Sequence, residues 1–133
     1  MIPQDLTWTF PKRYFYLASP YSRWSGGLDD ASRVISEIAG RLIQHGVPVF
    51  SPIAHSHAIC VAAHMDFLSH DIWLRADEPL VLAAAGLIVA DMDGWQTSFG
   101  VNKEIGWFRQ QEKPCWLLDP VDLELNDLPV IFG

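Results

Sequence analysis

Three features of this 133-residue chain predict an α/β fold, a three-layer sandwich around a mainly parallel sheet of four to five strands. Short apolar runs at 14–18, 47–50, 87–90 and 115–118 have the length and continuity of strands covered on both faces. The segments between them carry helical spacing or helix-boundary signals. Strands that alternate with helices close as a parallel sheet with helices on both faces. Half of the residues are hydrophobic and six are Trp, enough apolar surface for one folded domain over 1–133 rather than a disordered chain.

Taken in order, residues 1–13 hold Pro3 and Pro11 among scattered aromatics and read as an irregular arm. Trp8 and Phe10 are expected to pack on the body or on a second subunit. YFYLA at 14–18 is the first strand. The loop at 19–27, rich in hydroxyls and glycine, leaves its carboxyl end. The next helix is the clearest element: Asp29 or Asp30 caps it, Ala31, Val34, Ile35, Ile38, Ala39, Leu42 and Ile43 recur at helical spacing, and Gly46 stops it. VPVF at 47–50 is a short second strand, its proline tolerable only at the start. SPIAHSH at 51–57 reads as a loop, with a helix somewhere within 62–74. Asp77-Glu78-Pro79 reads as a new helix start, proline at the first helical position, and Gly86 ends that helix. The third strand, 87–90, leads through a polar turn to a helix that Ser98 opens and Lys113-Pro114 breaks. The fourth strand is 115–118, and the tail at 119–133 is expected to add an edge strand or dock on a partner.

The formal charge of −7 argues against a nucleic-acid polymer or an anionic membrane surface as partner, while leaving room for a small phosphate held by local donors. Cys60 and Cys115 lie far apart without CxxC spacing, which suits free thiols in a reducing compartment. The opening MIPQDLTWTFPKRY lacks the charged start and apolar stretch of a signal peptide, and no apolar run reaches membrane-spanning length. The expectation is therefore a cytoplasmic protein. No GxSxG elbow and no phosphate-binding P-loop occurs.

The chain is organised around LIVADMDGWQTSFGVNKEIG at 87–106: strand, polar loop, helix N-terminus. That junction binds ligands in α/β folds, because the loop leaves the carboxyl end of the strand and the helix offers free N–H groups. Ser98 supplies a hydroxyl, Gly100 allows close approach to backbone, and Glu104 follows about a turn in. A plainer reading stands beside this one: Ser98 caps the helix, and Glu104 favours the helix dipole or pairs with Lys103 or Arg109. Parallel strands would gather Tyr16, Ser19, Tyr21, Arg23, His55, His57, Asp91, Asp93, Ser98 and Glu104 on one rim, within reach of Asp77 and Glu78.

These residues suit chemistry at an anomeric carbon. Glu104 would attack, and Asp77, Glu78 or Asp93 would protonate the leaving group. Trp24 and Trp95 would stack on a base or simply pack the rim. A second reading is a metal site on His55 and His57, with His64, Asp66, His70 and Asp71 downstream, although these spacings match no defined metal motif.

FYLASPY at 15–21 resembles the first strand and loop of the nucleoside 2-deoxyribosyltransferase superfamily, and SFGVNKEIG at 98–106 resembles its S-x-G-x-x-x-E-x-G signature. The segment from Leu82 through Ala85-Gly86-Leu87-Ile88-Val89 resembles the helix-to-strand stretch before that signature. The likeness is closest to small bacterial and phage-type members, and relatives include 2′-deoxynucleoside 5′-monophosphate N-hydrolases. It implies a flavodoxin/Rossmann-like sheet, a homo-oligomer whose neighbours complete each site, and N-glycosidic cleavage through a glycosyl–enzyme ester without cofactor or metal. Glu104 falls on the nucleophile, Tyr16 on the tyrosine beside it, and Ser98 and Gly100 where the hydrolases hold phosphate. The general acid, an aspartate in the superfamily, falls by count on Glu78, with Asp77 adjacent. Ser19, Tyr21, Arg23, His55, Asp91, Asp93 and Trp95 are expected to bind substrate. The expected activity is transfer or hydrolysis of a (deoxy)nucleoside or its 5′-monophosphate. The alternatives are a non-catalytic nucleotide-binding module and a metal-dependent hydrolase using His55 and His57.

Overall fold

The computed structural model describes residue 2 and residues 13–129. The expected N-terminal arm, Trp8 and Phe10 included, lies almost wholly outside these residues, as does the end of the tail.

The sheet contains β1 (Phe15–Ala18), β2 (Val49–Phe50), β3 (Leu87–Ala90), β4 (Cys115–Leu118) and β5 (Leu125–Asp127). Their spatial order is β2-β1-β3-β4-β5. The first four run parallel and β5 pairs antiparallel to β4 as the edge. This is the flavodoxin-like order, and it reverses direction between β1 and β3. Every residue of β1 and β3 is buried, which is why both read as unbroken apolar runs. Their alternate residues face opposite sides. Phe15, Leu17, Ile88 and Ala90 pack into one core with α1 (Leu28–Gln44) and the start of α2 (Pro52–Ala63). Tyr16, Ala18, Leu87 and Val89 pack into the other with α3 (His70–Ala83) and α4 (Phe99–Gln110). The result is three layers, helices on both faces of the sheet.

The helical spacing of α1 has the expected consequence: Ala31, Ile35, Ile38 and Leu42 form its buried stripe. Burial of each large side chain of this stripe contributes roughly 1.5–3 kcal/mol. The expected cap is corrected. Gly27 occupies the N-cap with φ of 92°, and Asp29 and Asp30 lie inside the first turn. Both carboxylates are committed elsewhere: Asp30 accepts from Trp24 Nε1 at 2.8 Å and from Arg33, and Asp29 faces His57.

Two other expectations fail between 51 and 85. The stretch 51–57 is the start of α2, not a loop. Ser51 Oγ accepts the Ala54 N–H at 3.1 Å and Pro52 takes the first helical position, where its missing N–H costs nothing. The break comes instead at His64, in a left-handed conformation with φ of 54°. Asp77-Glu78-Pro79 is not a helix start either, since Pro79 lies inside α3. The ring removes one intrahelical hydrogen bond, and Pro79 and Arg75 lie on the exposed side of the helix, where the freed carbonyl is open to solvent. In the tail, the edge strand is β5, and residues 130–133 lie outside the described chain.

Candidate active site

The loops that leave β1, β2 and β3 meet at the reversal of strand order and enclose a cavity of about 700 Å3, counted out to its open mouth. Ser19 and Tyr21 come from the loop after β1. Ser56 comes from α2, Trp73 and Asp77 from α3, and Ser98, Gly100 and Glu104 from the N-terminus of α4. Two of the loops lock together at Gly94, whose φ is 93° and whose missing Cβ would stand 2.5 Å from the Arg23 carbonyl oxygen.

Glu104 is 8% exposed, so the plainer reading of a solvated partner for Lys103 or Arg109 does not hold. Arg109 instead donates to the carbonyls of Leu128 and Pro129. The buried setting pushes the Glu104 carboxyl up to about 8, opposed by Tyr16 and reinforced by the charge of Asp77. Tyr16 lies on β1 with its ring against Phe108 and Phe50. Burial first, then the carboxylates of Glu104 and Asp77, hold its phenol well above the usual tyrosine range. Tyr16 and Glu104 are close enough to bias each other's protonation, yet the hydroxyl stops short of a well-formed hydrogen bond. Asp77 is also 8% exposed, and burial raises its carboxyl to about 6.

Among the described residues, four buried polar atoms have no hydrogen-bond partner: Tyr16 Oη, Ser19 Oγ, Trp73 Nε1 and Asp77 Oδ1. Such groups are costly in a finished core. Three of the four belong to cavity-lining residues.

The plainer reading of Ser98 is right as far as it goes: its Oγ accepts the Val101 N–H at 3.3 Å and caps α4. It lines the cavity as well. Gly100 lines the cavity too, and a Cβ there would meet nothing within 4 Å. Packing within the chain therefore does not require glycine at this position.

The other expected contacts fall away from the cavity. Glu78, one position past Asp77 on α3, is exposed and does not line the cavity. Arg23, Asp91 and Asp93 are exposed at the loops and do not line the cavity. Asp91 accepts from Trp95 Nε1 at 3.1 Å, and Trp95 is a 3%-exposed core residue rather than a stacking platform. His55 is exposed, its ring against Phe50 and Trp73. His57 lies on the same helix with both ring nitrogens engaged, one by Tyr21 and one by Asp29. Among the described residues no three His, Cys, Asp or Glu side chains converge as a metal would need. No helix among them is long and apolar enough to cross a membrane. Sequence reasoning missed the wall formed by Ser56, Phe67, Trp73 and Phe99. The helix start at Ser51-Pro52 was the one signal that would have placed Ser56 on it.

Residues 13–119 match the family model described as a domain of unknown function, DUF1937. The chain belongs to the DUF1937 family. The match spans β1 through β4 and with them every element that lines the cavity, while β5 lies beyond it. No curated protein matches this DUF1937 chain.

Proposed function

We propose that this DUF1937 protein cleaves or exchanges the N-glycosidic bond of a (deoxy)nucleoside or its 5′-monophosphate, with Glu104 as nucleophile. The observation that carries the reading is one buried carboxyl, Glu104, beside Tyr16 and facing a second, Asp77, in a cavity at the carboxyl ends of β1 and β3. The ionised Glu104 attacks C1′ and forms an ester. The C1′–N bond breaks, its electron pair goes to the base, and Asp77 supplies the proton. Water or a second base then attacks C1′, passes its proton to the Asp77 carboxylate, and frees the Glu104 carboxylate. A carboxyl held near 6 suits the acid role at neutral pH. The Tyr16 O–H stands where it can donate to the ionised form of Glu104 and orient it. In the first turn of α4 the Val101 and Asn102 N–H groups are taken by Ser98, while those of Phe99 and Gly100 lack an i−4 carbonyl and suit a phosphate or sugar oxygen. The apolar rim of Leu68, Ile72 and Phe99, each more than 40% exposed, supports a homo-oligomer.

One observation favours a non-catalytic binding module instead: a Glu104 carboxyl held near 8 is mostly protonated at neutral pH and can act as a donor to a ligand. A panel of deoxynucleosides and their 5′-monophosphates, with and without a second free base, separates the two. Free base released by wild type and abolished in Glu104→Gln, with ligand affinity retained, supports the enzyme. Thermal stabilisation by a panel member with no base release from wild type sinks it in favour of the binding module. Dependence on the added base distinguishes transfer from hydrolysis.

A further inference from the structure

Tyr21, His57 and Asp29 form a hydrogen-bonded chain that joins three elements. The Tyr21 hydroxyl meets His57 Nδ1, and His57 Nε2 stands 2.8 Å from Asp29 Oδ1. The His57 side chain is only 11% exposed. Its ring also lies edge-on to Tyr21 and 5.1 Å from the Phe67 ring. One imidazole therefore holds two cavity-lining aromatics, from the loop after β1 and the segment between α2 and α3.

The polarity of the chain follows from its outer end. A carboxylate only accepts, so Nε2 carries the proton that faces Asp29, and Nδ1 of the neutral ring is left as an acceptor. Burial first, then the proximity of Cys60 and Asp29, pushes the Tyr21 phenol up to about 12, so it keeps its proton and donates it to Nδ1. A phenol whose one O–H is engaged has only lone pairs to offer a ligand. Asp29 itself is almost fully exposed, so its part is to select the tautomer rather than to add much binding energy.

We propose that His57 is a positioning residue that turns Tyr21 into an acceptor-only group on the cavity wall, selecting a ligand hydroxyl or amino group there over a phosphate or carbonyl oxygen. This rests on the cavity being the ligand site proposed above, and it is independent of the chemistry at Glu104.

The tautomer is read directly from the imidazole 15N spectrum of ligand-free wild type. Protonated Nε2 with bare Nδ1, and a shift of the Nδ1 resonance in Tyr21→Phe, is the expected result. An Nδ1-protonated neutral ring overturns the proposal. Kinetics with 2′-deoxyadenosine, or the panel member turned over fastest, supply the second arm. Tyr21→Phe and His57→Leu should each raise KM roughly 3- to 10-fold, the loss of one neutral hydrogen bond, with kcat within about twofold. The double variant should be no worse than either single one, and His57→Asn, which keeps an acceptor at the Nδ1 position, should recover most of the loss. Multiplying penalties in the double variant overturn the proposal. If His57→Leu does not fold, the wild-type spectrum and Tyr21→Phe still decide. A panel without turnover sinks the glycosidic reading alone, whereas an Nδ1-protonated His57 sinks the positioning role alone.

Discussion

Glu104 and Asp77 show what a spacing pattern can and cannot reveal about single residues. The Ser98, Gly100, Glu104 pattern was legible because all three stand on one turn-and-a-half of helix, and local geometry puts them at the same end of α4. The proposed acid was not legible, because Asp77 and Glu78 are neighbours whose side chains leave a helix about 100° apart, and only the packing of α3 buries one and exposes the other. Asp77 is buried with an unpartnered oxygen, and Glu78 is in solvent. The proposed chemistry requires the pair to hold one proton between them, in the minor of its two arrangements, with Glu104 ionised and Asp77 protonated. With carboxyls at about 6 and about 8, kcat/KM should trace a bell with limbs near those values and an optimum near neutrality. In Asp77→Asn the bell should collapse along with most of the activity, by roughly 100-fold or more, while Glu78→Gln stays near wild type. Steady-state kinetics between pH 5 and 9 check both, and an active Asp77→Asn would remove Asp77 from the mechanism.

At the scale of elements, errors clustered where a proline had two readings. Pro52 follows Ser51 and Pro79 stands two residues after Asp77, both residue types that can cap a helix. Only Ser51-Pro52 begins one, because Ser51 is free to turn its hydroxyl onto the Ala54 N–H. Pro79 is carried within α3 by the packing of Leu80, Val81 and Ala84 against the second core, a tertiary term that outweighs one lost hydrogen bond. The first turn of α4 offers the sharpest element-scale test. Gly100 has room for a side chain, so Gly100→Ala should leave the fold intact and stabilise the helix by up to about 1 kcal/mol. The added methyl would project into the space that a ligand needs at the helix N-terminus. Thermal melts should show an equal or higher Tm, and titration with a nucleoside 5′-monophosphate should show binding weakened at least tenfold. Unchanged affinity would mean that the ligand does not approach this turn.

For the whole molecule, the cavity is a consequence of strand order: the chain leaves β1 toward β2 and leaves β3 toward β4, so the loops part and leave a crevice. The fold carries the cost of lining that crevice with buried carboxyls, and the cost depends on pH. Folded Glu104 keeps its proton up to about 8, whereas an unfolded glutamate releases it near its ordinary value of about 4.3. Between those limits the unfolded chain binds fewer protons, so stability falls as pH rises through the window and levels off above it. Asp77 adds a smaller contribution of the same sign, complete by about 6. Glu104→Gln removes the larger effect. Its melting curve should match wild type near pH 4.5 and exceed it above pH 8, by on the order of 5 kcal/mol and correspondingly several degrees or more in Tm. Parallel curves at both pH values would show that Glu104 is not held in its protonated form.

The sequence alone determined the four parallel strands, the buried stripe of α1, the three-layer class and the placing of Glu104 near the end of β3, and it left the edge strand β5 open. Apolar runs and helical periodicity are local, and they report which surfaces a segment must hide from water. The tertiary structure alone decided which residues share the cavity. Trp95, Asp91 and Arg23 left the list because loops were free to turn them into the core or out to solvent. Trp73 and Phe67 entered it, and Asp77 rather than Glu78 stayed on it, because α3 and the turn before it fold back over the ends of the strands. That docking depends on contacts between segments far apart in the chain, and no short window of sequence contains them.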